Sequence, residues 1–308
     1  MLGYLSMKNK KIKVCMLSAT PLAAAPYELM QCLNKYTKNV KVRSISERNS
    51  YMDGRSFPYD VLLRDGISKT ILRMADIWHM HNNVFPINYF NSLENQKILA
   101  QFHSLPIRPT FNNLSAIANA CYTIDQPLHK REYGLTGLPN VIDIEKYKPR
   151  DNWLDLENRP IRIAFAPTSK TPVGNLDSKA YSSVRAILYT LAKQKDIEVV
   201  WIEGVDYIEN LELKKGVDIL IDDVATGNWH RTSLEGMSFG LAVINNIKRD
   251  PFINASLDNL VAVLKMLVKN RGVLRRYKEN SRSWIEKNWH PKDKCQEYVD
   301  AYTELMKP

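Results

Sequence analysis

A chain of 308 residues, 44% hydrophobic and 25% charged, is long enough for two globular domains of about 150 residues each. No apolar run reaches the roughly 18 to 20 residues of a membrane span, and Met1 to Met7 is too short for a signal peptide, so a cytoplasmic location is expected. Cys15, Cys32, Cys121 and Cys295 show no paired spacing, which argues against a zinc site or a disulfide framework and for buried, reduced thiols.

Strands and helices alternate along the chain. Ile12 to Ser18 reads as a first strand, Pro26 to Tyr36 as a helix begun by proline, and Val40 to Ile45 as a second strand. Ile77 to His81, Ile98 to Phe102 and Ala120 to Ile124 continue the series. Tyr147 to Pro160, with Pro149 and Pro160 and charges around Trp153, reads as a link between domains. Beyond it the pattern resumes with Ile161 to Ala166, Ile197 to Ile202, Val217 to Ile221 and Leu241 to Ile244. Helices are expected over Leu257 to Asn270, Gly272 to Asn288 and Pro291 to Met306. Residues 1–150 carry 20 Lys plus Arg against 11 Asp plus Glu, a net of +9, and residues 151–308 carry 23 against 22, a net of +1. A surplus gathered in one half attracts an anionic partner or, as with the cluster Lys8, Lys10, Lys11 and Lys13, merely keeps the chain soluble.

The stretch Val217 to Asn246 carries most of the chemistry. It reads as buried strand, glycine-containing loop, helix and second buried strand. Such a unit opens a helix N-terminus at the carboxyl edge of a parallel sheet, where free N–H groups and the helix dipole favour phosphate. Glu235, read in the first turn, is placed to accept hydrogen bonds from sugar hydroxyls. Thr232-Ser233-Leu234-Glu235 also fits a capping box, in which the glutamate only satisfies a helix end.

Leu234-Glu235-Gly236-Met237-Ser238-Phe239-Gly240-Leu241-Ala242-Val243-Ile244 resembles the "LEAMAxGxPVI" signature of retaining, nucleotide-sugar-dependent glycosyltransferases of the large family four. Ala75 to Asn82 resembles that family's "ADIIHxHN", and Leu138 to Asp143 with Lys146 to Pro149 its "VPNGVDxxxFxP". Ile163 to Lys170 resembles "ILHAPSxR", Trp201 to Val205 resembles "LIEGV", and Ile285 to Leu305 the closing helix. The resemblance implies an α/β chain of the GT-B fold, with two Rossmann-like doubly wound domains facing across a cleft. Residues 1–150 would bind the acceptor and 151–290 the nucleotide-sugar donor, with the closing helix, about 291–308, packing back on the first domain.

This sequence departs from the family's pattern in three places. The first of the family's paired glutamates should lie eight positions before Glu235, where Gly227 stands. One branch, "DQLxxGxYGxxxLEAMA", has the same gap, and Asp222-Asp223 with Gly227-Asn228-Trp229 resembles it. Ile142 replaces the usual hinge glycine, and the expected "KGT" is blurred into Val173-Gly174-Asn175, with Lys179 beyond.

The resemblance implies donor contacts from Lys170, Lys179, Glu203, Asp222, Gly227, Arg231, Thr232, Ser233 and Glu235. His103, at a strand edge where the family has a histidine near the transferred sugar, joins Lys170 and His230 as a candidate catalytic residue. For the acceptor the candidates are Ala24, Ala25, Tyr27, Arg48, Arg55 and His81. Ala24 and Ala25 lie in the loop after the first strand, Tyr27, Arg48 and Arg55 offer stacking rings and basic charge, and His81 shares a strand face with His79.

The expected reaction moves a hexosyl or pentosyl group from a UDP-, GDP- or ADP-linked sugar to an anionic acceptor, with retention and with neither metal nor cofactor. Hydroxymethylated pyrimidine in phage-type DNA and a cell-envelope glycan or lipid are the acceptors considered, the latter with peripheral membrane contact. An inactive nucleotide-sugar-binding module and a GT-B-fold epimerase or phosphorylase are the competing readings.

Overall fold

The computed structural model describes residues 11–51, 53–82, 96–105, 110–167 and 180–307. The chain divides into two compact units, residues 1–141 with 291–308 and residues 142–290.

In the first unit, β1 (Ile12–Ser18), α1 (Ala25–Tyr36), β2 (Val40–Ser46), β3 (Val61–Leu62), α2 (Ser68–Met74) and β4 (Ile77–His81) follow one another. Next come β5 (Lys97–Phe102), α3 (Thr110–Ile117), β6 (Ala120–Ile124), α4 (Pro127–Tyr133) and β7 (Gly137–Leu138). Among the described residues the strands form one parallel sheet in the order β3-β2-β1-β4-β5-β6-β7. The chain leaves β1 towards one side and returns as β4 on the other, a doubly wound arrangement whose switch point lies between β1 and β4. Both sheet faces are covered. Val14, Met16, Leu29, Leu33 and Val42 pack on one side with Tyr298 and Tyr302 of the last helix, α10 (Pro291–Leu305), and Cys15, Leu17, Leu72, Trp78 and Leu114 pack on the other.

The second unit holds β8 (Ile161–Phe165), α5 (Tyr181–Leu191), β9 (Ile197–Trp201), α6 (Tyr207–Lys215), β10 (Ile219–Ile221) and α7 (Arg231–Ser238). β11 (Ala242–Asn245), β12 (Ile253–Asn254), α8 (Leu260–Lys269) and α9 (Arg271–Asn288) complete it. Its parallel sheet runs β12-β11-β10-β8-β9, so the strand order reverses between β8 and β10. Every residue of β10, β11 and α7 is buried, as uninterrupted apolar strands covered on both faces require. Gly236 lets α7 lie close on the sheet, because a Cβ there would meet Leu220 Cδ2 at 2.6 Å.

The division falls at Ile142, not after residue 150, because the intervening residues are anchored in the second unit. The Tyr147 hydroxyl lies 3.1 Å from that of Tyr207, its ring packs edge-on against Phe239, and Arg282 Nη1 donates to the Tyr147 carbonyl at 3.1 Å. The short strands β3, β7 and β12 escape sequence reading, since two residues carry no periodicity.

Candidate functional site

Asp222 and Asp223 follow β10 at the carboxyl edge of the second sheet, next to the reversal of strand order. Both are fully buried and both organise backbone. Asp222 Oδ2 accepts from the His230 backbone N–H (3.0 Å) and the Ser233 hydroxyl (2.5 Å), and Oδ1 lies 3.2 Å from His230 Nδ1. Asp223 Oδ1 accepts from the backbone N–H groups of Ala225 (2.9 Å) and Thr226 (2.8 Å). Asp222 thereby fixes His230, the residue from which α7 starts, and points the helix N-terminus at the sheet edge.

The capping box does not form. α7 begins at Arg231, so Glu235 lies in its second turn and no acidic residue occupies the first. The expected place of Glu235 beside the first free amides is therefore corrected by one turn. Its carboxylate is buried and held between two cations, with Oε2 accepting from Lys214 Nζ at 2.6 Å and Oε1 from Arg231 Nε at 3.0 Å. Arg231 Nη2 also donates to the Tyr207 hydroxyl at 3.3 Å. A carboxylate has about four acceptor positions, so two cationic donors leave room for hydroxyl groups. Thr232 is nearly buried beside Ser233.

Lys214 and Tyr207 were not found in the sequence. Lys214 sits in the last turn of α6, and nothing local separates it from Lys215. Its role appears only when α6 is packed on α7, 21 residues further on.

Gly227 has φ +71°, and a Cβ there would stand 2.6 Å from the Asn246 carbonyl oxygen. The loop is pinned at this point, since Asn246 N donates to Asp223 O (2.6 Å) and Asn245 Nδ2 to Asn228 O (2.7 Å). A side chain at 227 meets both left-handed backbone strain and a fixed carbonyl. Gly227→Ala should therefore cost about 2 kcal/mol or more of stability; a urea midpoint equal to that of the parent protein would show that the loop can open.

Glu203 follows β9, the outer strand, two strands away from β10. Its Oε2 accepts from the Tyr181 hydroxyl at 2.9 Å and its Oε1 lies 3.7 Å from Arg185 Nε. Lys170 and Lys179 lie outside the described residues.

In the first unit, His79, His81 and His103 come together at the carboxyl ends of β4 and β5. The rings of His79 and His81 stack at 4.1 Å, His81 Nδ1 lies 2.8 Å from His103 Nε2, and His79 Nδ1 lies 2.8 Å from the Tyr302 hydroxyl. Asn82, with φ +65°, accepts from the His103 backbone N–H at 2.6 Å and donates to Ser104 Oγ at 3.1 Å. Burial, reinforced by neighbouring histidine charge, pulls His79 down to about 3 and His81 well below the usual imidazole range. His81 is buried behind His103, so of the two His103 is the one set nearer the surface.

The loop after β1 adopts glycine-like backbone without glycine. Leu22, Ala23 and Ala24 have φ of 48°, 53° and 64°, and Ala23 N donates to the Tyr51 hydroxyl at 2.8 Å. Left-handed residues of this type cost roughly 1–2 kcal/mol each, and such strain concentrates at functional loops. Ala24 and Ala25 are buried. Tyr27 packs partly against the core. Arg48 is exposed, whereas Arg55 pairs with Asp53 at 2.8 Å and covers the Tyr51 ring at 5.3 Å.

Two doubly wound, all-parallel Rossmann-like units in one chain define the α/β class of the GT-B fold. Solved structures of that class match over nearly the whole chain. HepE from Anabaena, in complex with UDP and glucose, is similar with a TM-score of 0.64 and 10% identity, over 95% of this chain and 100% of that one. An α-glucosyltransferase in complex with UDP and a 13-mer DNA containing a central A:G mismatch gives 0.65 and 10%, over 95% and 99%. A UDP-N-acetylglucosamine 2-epimerase gives 0.52 and 13%, over 97% and 98%. No protein-family model matches the chain, and no curated protein is significantly similar in sequence. Likeness at such identities is one of fold, which hosts more than one chemistry.

Proposed function

We propose that the protein is a glycosyltransferase that takes a sugar from a nucleoside-diphosphate donor, UDP-linked in the first instance, and transfers it with retention to an anionic acceptor. The observation that carries this reading is the N-terminus of α7, set by Asp222 at the strand-order reversal of the second sheet, with the buried Glu235 one turn behind. The positive end of its helix dipole suits a diphosphate, and the Glu235 carboxylate suits ribose hydroxyls. The likeness to two UDP-bound proteins, one of them also holding DNA, supports a uracil nucleotide and keeps DNA among the acceptors.

In this reading the departing diphosphate gathers negative charge as the anomeric carbon becomes positive. Helix N–H groups, Arg231 and His230, with Lys170 and Lys179 by resemblance, stabilise the leaving group and are needed most in the transition state. Same-face attack, with the leaving phosphate taking the acceptor's proton, requires no pair of carboxylates from the protein. His103 is the candidate contact to the transferred sugar, oriented by Asn82 and His81. The surplus of +9 in residues 1–150 supports an anionic acceptor, either hydroxymethylated pyrimidine in DNA or a cell-envelope glycan or lipid.

Incubation with UDP-, GDP- and ADP-sugars tests the reading, since an active transferase slowly releases nucleoside diphosphate to water without acceptor. Glu235→Gln should weaken UDP binding at least about tenfold, or ~1.4 kcal/mol. Release from none of the donors, with UDP still bound, would leave a binding module. Unchanged UDP affinity in the variant would remove Glu235 from the site.

A further inference from the structure

The amino edge of the second sheet carries a cationic cluster that the donor site does not use. Asp218, four residues before Asp222 and therefore about 13 Å from it along an extended strand, is fully buried. It accepts from Arg159 Nη1 (2.7 Å) and Nη2 (2.9 Å), Lys278 Nζ (3.1 Å), the Arg162 backbone N–H (3.0 Å) and Arg150 Nη2 (3.4 Å).

These cations are not equally occupied. Arg159 also donates from Nε and Nη2 to the Asp155 carbonyl and from Nη1 to that of Pro160, which uses its whole fork. Lys278 is fully buried. Arg150 has only its long contact to Asp218 among the described residues, and its side chain is 29% exposed. Arg162, also 29% exposed, donates from Nε to Glu198 and from Nη1 to the Gly216 carbonyl, leaving Nη2. Arg271 donates from Nη2 to the Arg159 carbonyl, while its Nη1 is buried and has no hydrogen-bond partner among the described residues.

Arg150, Arg159, Arg162 and Lys278 act on Asp218, Glu198 and Asp155, four cations against three carboxylates, with Arg271 held on the Arg159 carbonyl beside them. The positive surplus favours an added anion. Arg150 itself is held below the usual guanidinium range, first by burial and, against the pull of Asp218, by Arg159 and Arg162. An added anion would relieve that repulsion.

We propose that Arg150 and Arg162 form a second anion site on this unit, one that takes a dianionic phosphate, as inorganic phosphate or the end group of a phosphate monoester. The forked guanidinium of Arg150 supplies the paired donors that a phosphate oxygen face accepts, and the buried Lys278 and the half-buried Arg159 supply the field behind it. This site is independent of the donor reading, because it lies on the opposite edge of the sheet.

Calorimetric titration of the full chain with inorganic phosphate, at ionic strength held constant with chloride, tests it. Arg150→Gln should weaken phosphate binding at least about tenfold, with its urea midpoint in chloride and its UDP titration unchanged, and Arg162→Gln should act in the same direction. Dimethyl phosphate, with a single charge, should bind more weakly than phosphate and separates a monoester from a nucleic-acid backbone. An absence of phosphate binding by the unaltered protein overturns the proposal. Equal affinity in Arg150→Gln does so too, and would point to phosphate at the α7 N-terminus.

Discussion

Replacing Asp218 with alanine is expected to lower the stability of the second unit by about 3–5 kcal/mol, the usual cost of removing one partner from a buried ion pair. Burial alone would raise the pKa of Asp218, but the hydrogen bonds from Arg159 and the charge of Lys278 outweigh it and hold the carboxyl below its ordinary value. Lys278 is the exposed weakness of the variant. Fully buried, it has Asp218 as its carboxylate partner and the Trp153 ring 5.7 Å away. Burial already pulls it down to about 8 against the attraction of Asp218, with Arg150 and Arg159 adding to the fall. Without the carboxylate it must shed its proton or stay charged in an apolar site, and either course costs free energy. Urea unfolding followed by tryptophan fluorescence measures the loss. A companion variant, Asp218→Ala with Lys278→Met, should recover much of it, because apolar replacement of a buried pair is often neutral. A single variant within about 1 kcal/mol of the parent protein would mean that water reaches Lys278.

Acid should weaken the first unit between pH 7 and 5, before its carboxylates begin to titrate. His79 and His81 are neutral in the folded chain, their pKa values lowered chiefly by burial, while unfolding returns them to about 6.5. The unfolded state then binds more protons below that value, so stability is present above pH 6.5 and is lost as pH falls towards the folded pKa, about 3 for His79. At 1.36 kcal/mol per pH unit, His79 costs about 2 kcal/mol at pH 5, and His81 acts in the same direction. Urea midpoints at pH 7, 6 and 5 should fall accordingly, and His79→Gln should make the slope shallower. Stability that stays level down to pH 5 would show that the imidazoles are protonated in the fold.

Much of the architecture is legible as pattern. Ile77 to His81 and Ala120 to Ile124 were read with the bounds of β4 and β6, because each is a short, mainly apolar or aromatic run between breaks. Pro26 and Pro291 marked helix starts, since proline suits the first helical turn and little beyond it. The Val217 to Asn246 segment gave its strand, loop, helix and strand in order.

The identities of the partners were not legible there. Thr232-Ser233-Leu234-Glu235 carries the letters of a capping box, yet Asp222, eleven residues before Ser233, takes its hydroxyl, and Lys214 on another helix takes Glu235. Left-handed backbone at Leu22, Ala23 and Ala24 contradicts their local preference, and the hydroxyl of Tyr51, 28 residues on, receives the Ala23 N–H. The two-residue strands β3, β7 and β12 exist only by pairing with neighbours. The sequence by itself therefore determined the alternation of elements and the edge at which α7 opens, because burial periodicity is written in neighbouring residues, while the two doubly wound domains came from the family resemblance. Tertiary structure decided which charges from distant elements meet. Glu235 and Asp218 each take a lysine that helix packing brings within about 3.1 Å, and no local pattern records that choice.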